Sequence, residues 1–276
     1  MKGVLKMRKK LVLFVGAPIL MVLCLFQFKS HAASIGNLLN PIGNMKVAVA
    51  TEGNFVFDRK IEANGRSTSG SNIDSFNIEQ MYQENTKIIL GITDYVNVFT
   101  KLGVSKIANA KLKFSTGENC SVETGYDFLY GGGIDATYKF GNDEIYFVGF
   151  GGDISYFETD TKNVTIEGTS ATNISGKIKT LEYQIAGFAG MDVMVNENLL
   201  LTPYVAGFWN KFNTKTGGID YTIGGGSYEL TFDSDAKDEI GVGVGLDLEL
   251  FKHFNLNVEG RFAAGNAVTV GAAFKF

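Results

Sequence analysis

From Ile240 to Phe276 the chain alternates between apolar and polar or small residues, in segments of about ten residues each. In the first segment Ile240, Val242, Val244, Leu246, Leu248 and Leu250 share one face, with Gly241, Gly243, Gly245, Asp247 and Glu249 on the other. After the tight Lys252-His253 connection, Phe254, Leu256, Val258 and Phe262 are set against Asn255, Asn257, Glu259 and Arg261. The last residues repeat the scheme, with Val268, Val270, Ala272, Phe274 and Phe276 opposite Thr269, Gly271, Ala273 and Lys275. A period of two is that of a β-strand, whose side chains point to opposite faces in turn. Periodicity alone leaves a soluble sandwich open. A face of acids and glycines that recurs from strand to strand points instead to a barrel with a polar interior.

The N-terminus supplies the compartment. Lys2, Lys6, Arg8, Lys9 and Lys10 precede a mostly apolar run from Leu11 to Phe28, and Ser30-His31-Ala32 follows as a small-x-small cleavage site. Residues 1–32 read as an export signal peptide, a retained anchor being the alternative. Residues 33–44 then form a short periplasmic segment, and residues 45–276 one domain. The signal holds six of the 25 basic residues and none of the 29 acidic ones, so the mature chain carries 19 against 29, a formal charge of −10. Nucleic acid is excluded as a partner, because phosphate neutralisation needs a basic face. Cys120 is left alone, so no internal disulfide forms, and His253 is too little for the usual zinc sets. No cofactor, metal or catalytic residue is implied.

Beyond the signal no apolar run is long enough for a membrane helix. Backbone groups in lipid must be satisfied internally, so such a chain spans a membrane only as a closed barrel. Further hairpins fit that form. Met45–Phe57 is the opening strand, and Thr86–Thr93 turns at Asp94-Tyr95 into Val96–Ser105. Phe128–Phe140 turns through Gly141–Glu144 into a strand bearing Tyr146, Val148, Phe150, Ile154 and Tyr156. Residues 181–195 turn through Asn196-Glu197-Asn198 into Leu199–Phe212, whose facing is ambiguous. Segments 58–85, about 115–125, about 158–177 and about 213–237, rich in Ser, Thr, Asn, Gly, Asp and Lys, read as long polar outer loops. The expected architecture is all-β: a transmembrane antiparallel up-and-down barrel of about ten strands, within a range of 8–12.

The chain at this point resembles the small outer-membrane β-barrels of the OmpA barrel-domain and opacity-protein type, over residues 45–276. The resemblance rests on the alternating strands and the terminal Phe276. It implies integration in the bacterial outer membrane among lipid and lipopolysaccharide, and delivery by the barrel assembly machinery, with Phe274 and Phe276 as the assembly signal. The chain stops at the barrel, which implies no peptidoglycan-binding tail. Ten strands also invite comparison with the omptin proteases, which place an Asp–His pair at the outer rim. His253 falls in a periplasmic turn instead, so the expectation is no enzyme.

If the phases hold, the charges facing the lumen include Lys46, Glu52, Lys101, Asp135, Lys139, Asp153, Glu182, Asp192, Asp247, Glu249, Glu259, Arg261 and Lys275. Of these, Asp135, Lys139, Asp247, Glu249, Glu259 and Arg261 are the expected network. A ten-stranded barrel is barely wider than one filled by its own side chains, so opposite charges pair across it and plug it. A narrow pore for small solutes or ions is the alternative. Inward glycines relieve crowding where the wall curves, and Gly245 is expected to accept a small polar side chain. Tyr95, Tyr146 and Trp209 fall near strand ends, as interfacial aromatics do. The leading functional expectation is a non-enzymatic surface protein whose loops meet a host or cell-surface ligand. One prediction concerns assembly. Phe276→Asp should lower the amount of folded protein in the outer-membrane fraction several-fold, whereas Lys275→Ala should leave most of it in place. Equal, normal levels of both variants would refute the terminal signal.

Overall fold

The structure, a computed structural model, describes residues 41–67, 71–237, 239–263 and 265–276. The signal-peptide reading of residues 1–32 lies outside the described residues, as does the 33–40 part of the following segment. The strands are β1 (Val47–Ser67), β2 (Ile73–Gly91), β3 (Val96–Phe114), β4 (Asn119–Thr124), β5 (Asp127–Phe140), β6 (Tyr146–Ile166), β7 (Thr169–Ser170), β8 (Thr172–Met191), β9 (Val193–Asn196), β10 (Leu199–Ile223), β11 (Gly226–Ala236), β12 (Ile240–Leu250), β13 (Phe254–Phe262) and β14 (Asn266–Lys275). One 3-10 turn at Asn142–Glu144 joins β5 to β6.

All pairings are antiparallel and they close a ring. At the end that carries the C-terminus, here the base, ten strands follow one another: β1, β2, β3, β5, β6, β8, β10, β12, β13 and β14, with β14 paired back to β1 from Ala48↔Lys275 to Phe57↔Asn266. The ten-stranded ring expected from the alternation is therefore present. Farther up, β4 replaces β5 between β3 and β6, and β11 replaces β12 beside β10. There β11 pairs with β1 directly, from Ile61↔Ala236 to Ser67↔Leu230, above the short β13–β14 hairpin. The wall thus steps from ten strands at the base to eight in an upper section, the cap.

The cap corrects the expectation of long polar loops. Segments 58–85, 158–177 and 213–237 are for the most part strand, continuing β1, β2, β6, β8, β10 and β11, and β4 occupies most of 115–125. What remains outside the ladder there is short. Ser115–Glu118 connects β3 to β4, and Gly224-Gly225 connects β10 to β11 with φ values of 56° and 82°, the left-handed pair that a two-residue hairpin requires. The alternation persists in these segments with its sense reversed. On β3 the outward residues run Val98, Thr100, Leu102 and Val104, then Lys106, Lys111 and Lys113, while the inward ones run Asn97, Phe99, Lys101 and Ser105, then Ile107, Ala110, Leu112 and Phe114. On β6 the exchange falls between Ser155 and Phe157 inside, and between Tyr156 and Glu158 outside. Below the exchange the barrel is apolar outside and holds its charged and amide side chains inside, among a few aromatic rings; above it, the outside is polar and the inside apolar.

The facing of 199–212 is also resolved. Thr202, Tyr204, Ala206, Phe208, Asn210 and Phe212 point in, and Val205, Gly207 and Trp209 point out. The cap interior is one apolar cluster that includes Ile78, Met81, Ile107, Leu112, Phe157, Ile178, Phe212 and Phe232. Several inward glycines of the base stand where a side chain does not fit. A Cβ on Gly245 would come 2.2 Å from the Tyr204 ring, and one on Gly131 2.2 Å from the Ile154 carbonyl oxygen. Gly245 is thus not a tolerant position, contrary to expectation, whereas a Cβ on Gly243 meets only ordinary contacts from 3.6 Å outward.

These placements order three substitutions. Leu246→Arg puts a charge on the outer apolar face at a cost of about 2–4 kcal/mol in a bilayer. Gly245→Ser should also destabilise measurably, by displacing Tyr204, while Gly243→Ala should stay within about 1 kcal/mol of wild type. Urea unfolding in lipid, followed by the fluorescence of Trp209, the sole tryptophan, checks the order; a Gly243→Ala variant less stable than Gly245→Ser would contradict the packing.

Candidate functional site

The lumen of the base is built by the inward positions of ten strands. Near the base mouth, Lys275 Nζ lies 2.6 Å from Glu249 Oε2, and Lys139 Nζ 2.5 Å from Asp192 Oδ2. Asp192 Oδ1 also accepts from the Thr202 hydroxyl at 2.7 Å. Higher up, Lys101 meets Asp153 at 2.6 Å and Lys87 meets Glu52 at 2.8 Å, with Asn85 donating to the same carboxylate. Arg261 pairs with Glu259 and donates to Gln184 Oε1 at 2.9 Å, and the Tyr204 hydroxyl donates to Glu259 Oε2 at 2.5 Å. The topmost pair is Arg59 with Glu182 at 3.3 Å; Asn210 accepts from Arg59 and donates to Glu182. The Arg59 guanidinium lies 4.1 Å from the centre of the Phe212 ring, and that of Arg261 5.3 Å from the centre of the Phe208 ring. At the Arg59–Phe212 level the polar ladder gives way to the apolar cap.

All six residues of the expected network face this interior, but they do not form one connected set. Glu259 bonds Arg261; Lys139 and Glu249 take Asp192 and Lys275 as partners. Asp135 accepts from Asn97 at 2.8 Å and Asp247 from Asn255 at 2.8 Å, each an amide rather than a cation. Two cations that matter were missing from the expectation. Arg59 lies in a segment read as loop, and Asp58 beside it has φ 55°, a local break that shifts the phase between Val56 and Arg59. Lys87 was legible, because it is in phase with Ile89 and Gly91 on a strand that was recognised.

Both ends of the lumen are filled. The cap cluster closes the top. At the base mouth the chain preceding β1 folds back so that Ile42, 5% exposed, packs with Ala48, Ala50, Ile89, Phe99 and Ala273, while its N–H donates to Asn97 Oδ1. Phe147, Phe188, Tyr204 and Phe208 fill the opposite side of the base.

The remaining singled-out residues lie on the outside. Phe274 and Phe276 point outward in edge contact, 5.1 Å between centroids, and the Phe276 N–H bonds the Val47 carbonyl at 3.0 Å. Tyr95 packs beside Tyr138, and Tyr146 beside Phe140, at the base border of the apolar face. Trp209 sits at its upper border and donates to Glu239 at 2.8 Å. His253 lies in the base turn before β13, stacked on Phe274, its Nδ1 3.1 Å from the Lys275 carbonyl oxygen. Among the described residues no group of three His, Cys, Asp or Glu side chains is placed to hold a metal ion.

No protein-family model matches the chain, and no curated protein matches it. Among solved structures, the outer membrane protease OmpT from Escherichia coli is similar at 10% identity over 83% of this chain and 97% of its own, with a TM-score of 0.48. The translocator domain of autotransporter NalP from Neisseria meningitidis is similar at 10% identity over 85% and 89%, TM-score 0.44. The outer membrane protein OprG from Pseudomonas aeruginosa is similar at 12% identity over 86% and 99%, TM-score 0.36.

The topmost pair yields a prediction. Removing one partner of a buried ion pair costs about 3–5 kcal/mol, whereas replacing both by apolar groups is often close to neutral. Arg59→Met should therefore lower stability by about that amount, and Arg59→Met with Glu182→Leu should regain most of it. A double variant as unstable as the single one, in the same urea titration, would sink the idea that Glu182 depends on Arg59.

Proposed function

We propose that this chain is an integral, non-enzymatic barrel of the bacterial outer membrane that does not conduct. Its work is to hold a rigid polar β-surface outside the cell for contact with a host or neighbouring cell. The observation that carries this reading is the exchange of faces on every long strand. An apolar outer band, interrupted only by a few polar residues on β1–β3 and bordered by Tyr95 and Tyr146 below and Trp209 above, fits a bilayer, and the polar outer wall of the cap fits water. β10 runs for 25 residues, and a bilayer takes about 9–11 of a tilted strand. The excess, at about 3.3 Å per residue and a tilt near 40°, lifts the cap roughly 35–40 Å above the membrane. Its outer surface carries exposed pairs such as Lys111 with Glu79 and Lys177 with Glu158. Such pairs contribute little to stability, which leaves that surface free to vary with its ligand. Phe274 and Phe276, outward at the closing strand, support recognition by the barrel assembly machinery, and the outer band supports contact with lipid and lipopolysaccharide. The paired lumen, filled at both ends, supports the scaffold reading over the pore.

Single-channel recording separates the two. Purified protein in a planar bilayer should show no stepwise conductance, and Arg261→Ala should stay silent as well, because the apolar cap still closes the lumen above it. Strong wild-type conductance, with ion selectivity altered by Arg261→Ala, would favour the pore.

A further inference from the structure

Between its two aromatic borders the outer wall is apolar with one local exception. On β5, β6, β8, β10, β12, β13 and β14 the outward positions hold only aliphatic, aromatic and glycine residues, as in Ile134, Phe150, Ile185, Val205, Leu246, Val258 and Val270. The exceptions are Thr51 on β1, Glu84 and Thr86 on β2, and Thr100 on β3, all exposed. They are contiguous. Thr51 stands directly opposite Thr86, Thr100 opposite Ile88, and Glu84, one outward position above Thr86, lies between Gly53 and Val104. Tyr82, opposite Lys106, stands at the upper border, and Glu84 is the next outward position below it, opposite Val104, so the carboxylate falls at the upper margin of the apolar band.

An exposed carboxylate on a lipid-facing wall is unfavourable, and polar groups inside a membrane turn toward a partner. Among the described residues Glu84 has no hydrogen bond or ion pair. The nearest cation by register is Lys106, opposite Tyr82 and held 5.6 Å from the centre of the Tyr126 ring. Gly53 beside Glu84 has no side chain, and the Phe55 ring leans over it, 3.5 Å from where a Cβ would stand, so it offers the carboxylate no polar partner. The patch also complements itself, since Glu84 accepts hydrogen bonds and the hydroxyls of Thr86 and Thr100 donate them. Self-complementarity is what an interface around a twofold axis requires.

We infer that the outer wall of β1–β3 docks against a second copy of this chain within the membrane, the Glu84 carboxylate of one copy accepting from threonine hydroxyls of the other. The inference rests on the membrane placement proposed above. Cys120 is buried, so single cysteines introduced on the outer wall of the mature chain report contacts without interference. In native outer membranes, oxidation of Thr86→Cys should give a product of twice the monomer mass, and Val258→Cys, on β13, should give none. In lipid nanodiscs or detergent, Glu84→Leu should raise the dimer dissociation constant about tenfold, while Glu84→Gln, which keeps an acceptor, should stay within about threefold. An integrated protein that stays monomeric, equal cross-linking at Thr86→Cys and Val258→Cys, or cross-linking of Thr86→Cys to a protein of different mass would each overturn the inference. Resistance to alkaline carbonate, read on the same membranes, tests the placement separately: extraction would refute the membrane reading itself.

Discussion

Closure of the backbone ladder is the constraint on which the other features depend. In lipid an unpaired N–H or C=O has no water to turn to, so every edge must find a partner. β1 solves this with two partners at two heights: β14 along the base and β11 along the cap. The β13–β14 hairpin is too short to reach the cap, and the wall closes above it with two strands fewer. Closure also sets the diameter, and the diameter decides what the interior can be. A ring of eight to ten strands leaves room for side chains and little else. The interior is therefore packed, with paired charges in the base and with hydrocarbon in the cap.

On the membrane placement proposed above, the exchange of faces follows from solvent. Where lipid lies outside, the apolar face turns out, and the inward polar groups must bond one another. Where water lies outside, the same strand turns its apolar face in and builds a core of the ordinary soluble kind. Phe157 and Phe212, fully buried at the junction, belong to that core, and truncations of such side chains typically cost about 3–5 kcal/mol. The cap therefore has a stabilising core of its own.

Much of the base was legible in the sequence. The phases of 240–250, 254–262 and 266–275 follow from alternation alone, as does the inward set Asp135, Lys139, Asp247, Glu249, Glu259 and Arg261. The cap was not legible, for two physical reasons. Its outward faces are rich in Lys, Thr, Asn and Asp, the residues that also make loops, so composition misleads where facing would not. Breaks then scramble the period: the register of β2 with β3 shifts near Ile78–Met81, and that of β10 with β11 between Lys215 and Ile219. Arg59 was lost to one such break. Gly245 was misjudged for a different reason, because the Tyr204 ring that occupies the space above it comes from a neighbouring strand. Local pattern reports facing, and it does not report what the opposite strand sends into the same volume.

The lumen charges are better understood as fixing register than as adding stability. A buried ion pair often does no better than the hydrocarbon that could replace it, since desolvation offsets the attraction. A strand apolar on both faces, however, is nearly indifferent to a slip of one residue, which exchanges its inner and outer sets. With Asp247 inside and Leu246 outside, the same slip would put a carboxylate onto the apolar outer face and leave its amide partners unmet. Each inward charge in the base thus penalises the wrong register on its own strand, and each pair, such as Lys101 with Asp153 or Arg59 with Glu182, penalises a wrong alignment between strands far apart in sequence. In the cap, water outside and hydrocarbon inside already separate the two faces, so the interior needs no charges there, and among the described residues its buried side chains are almost all uncharged.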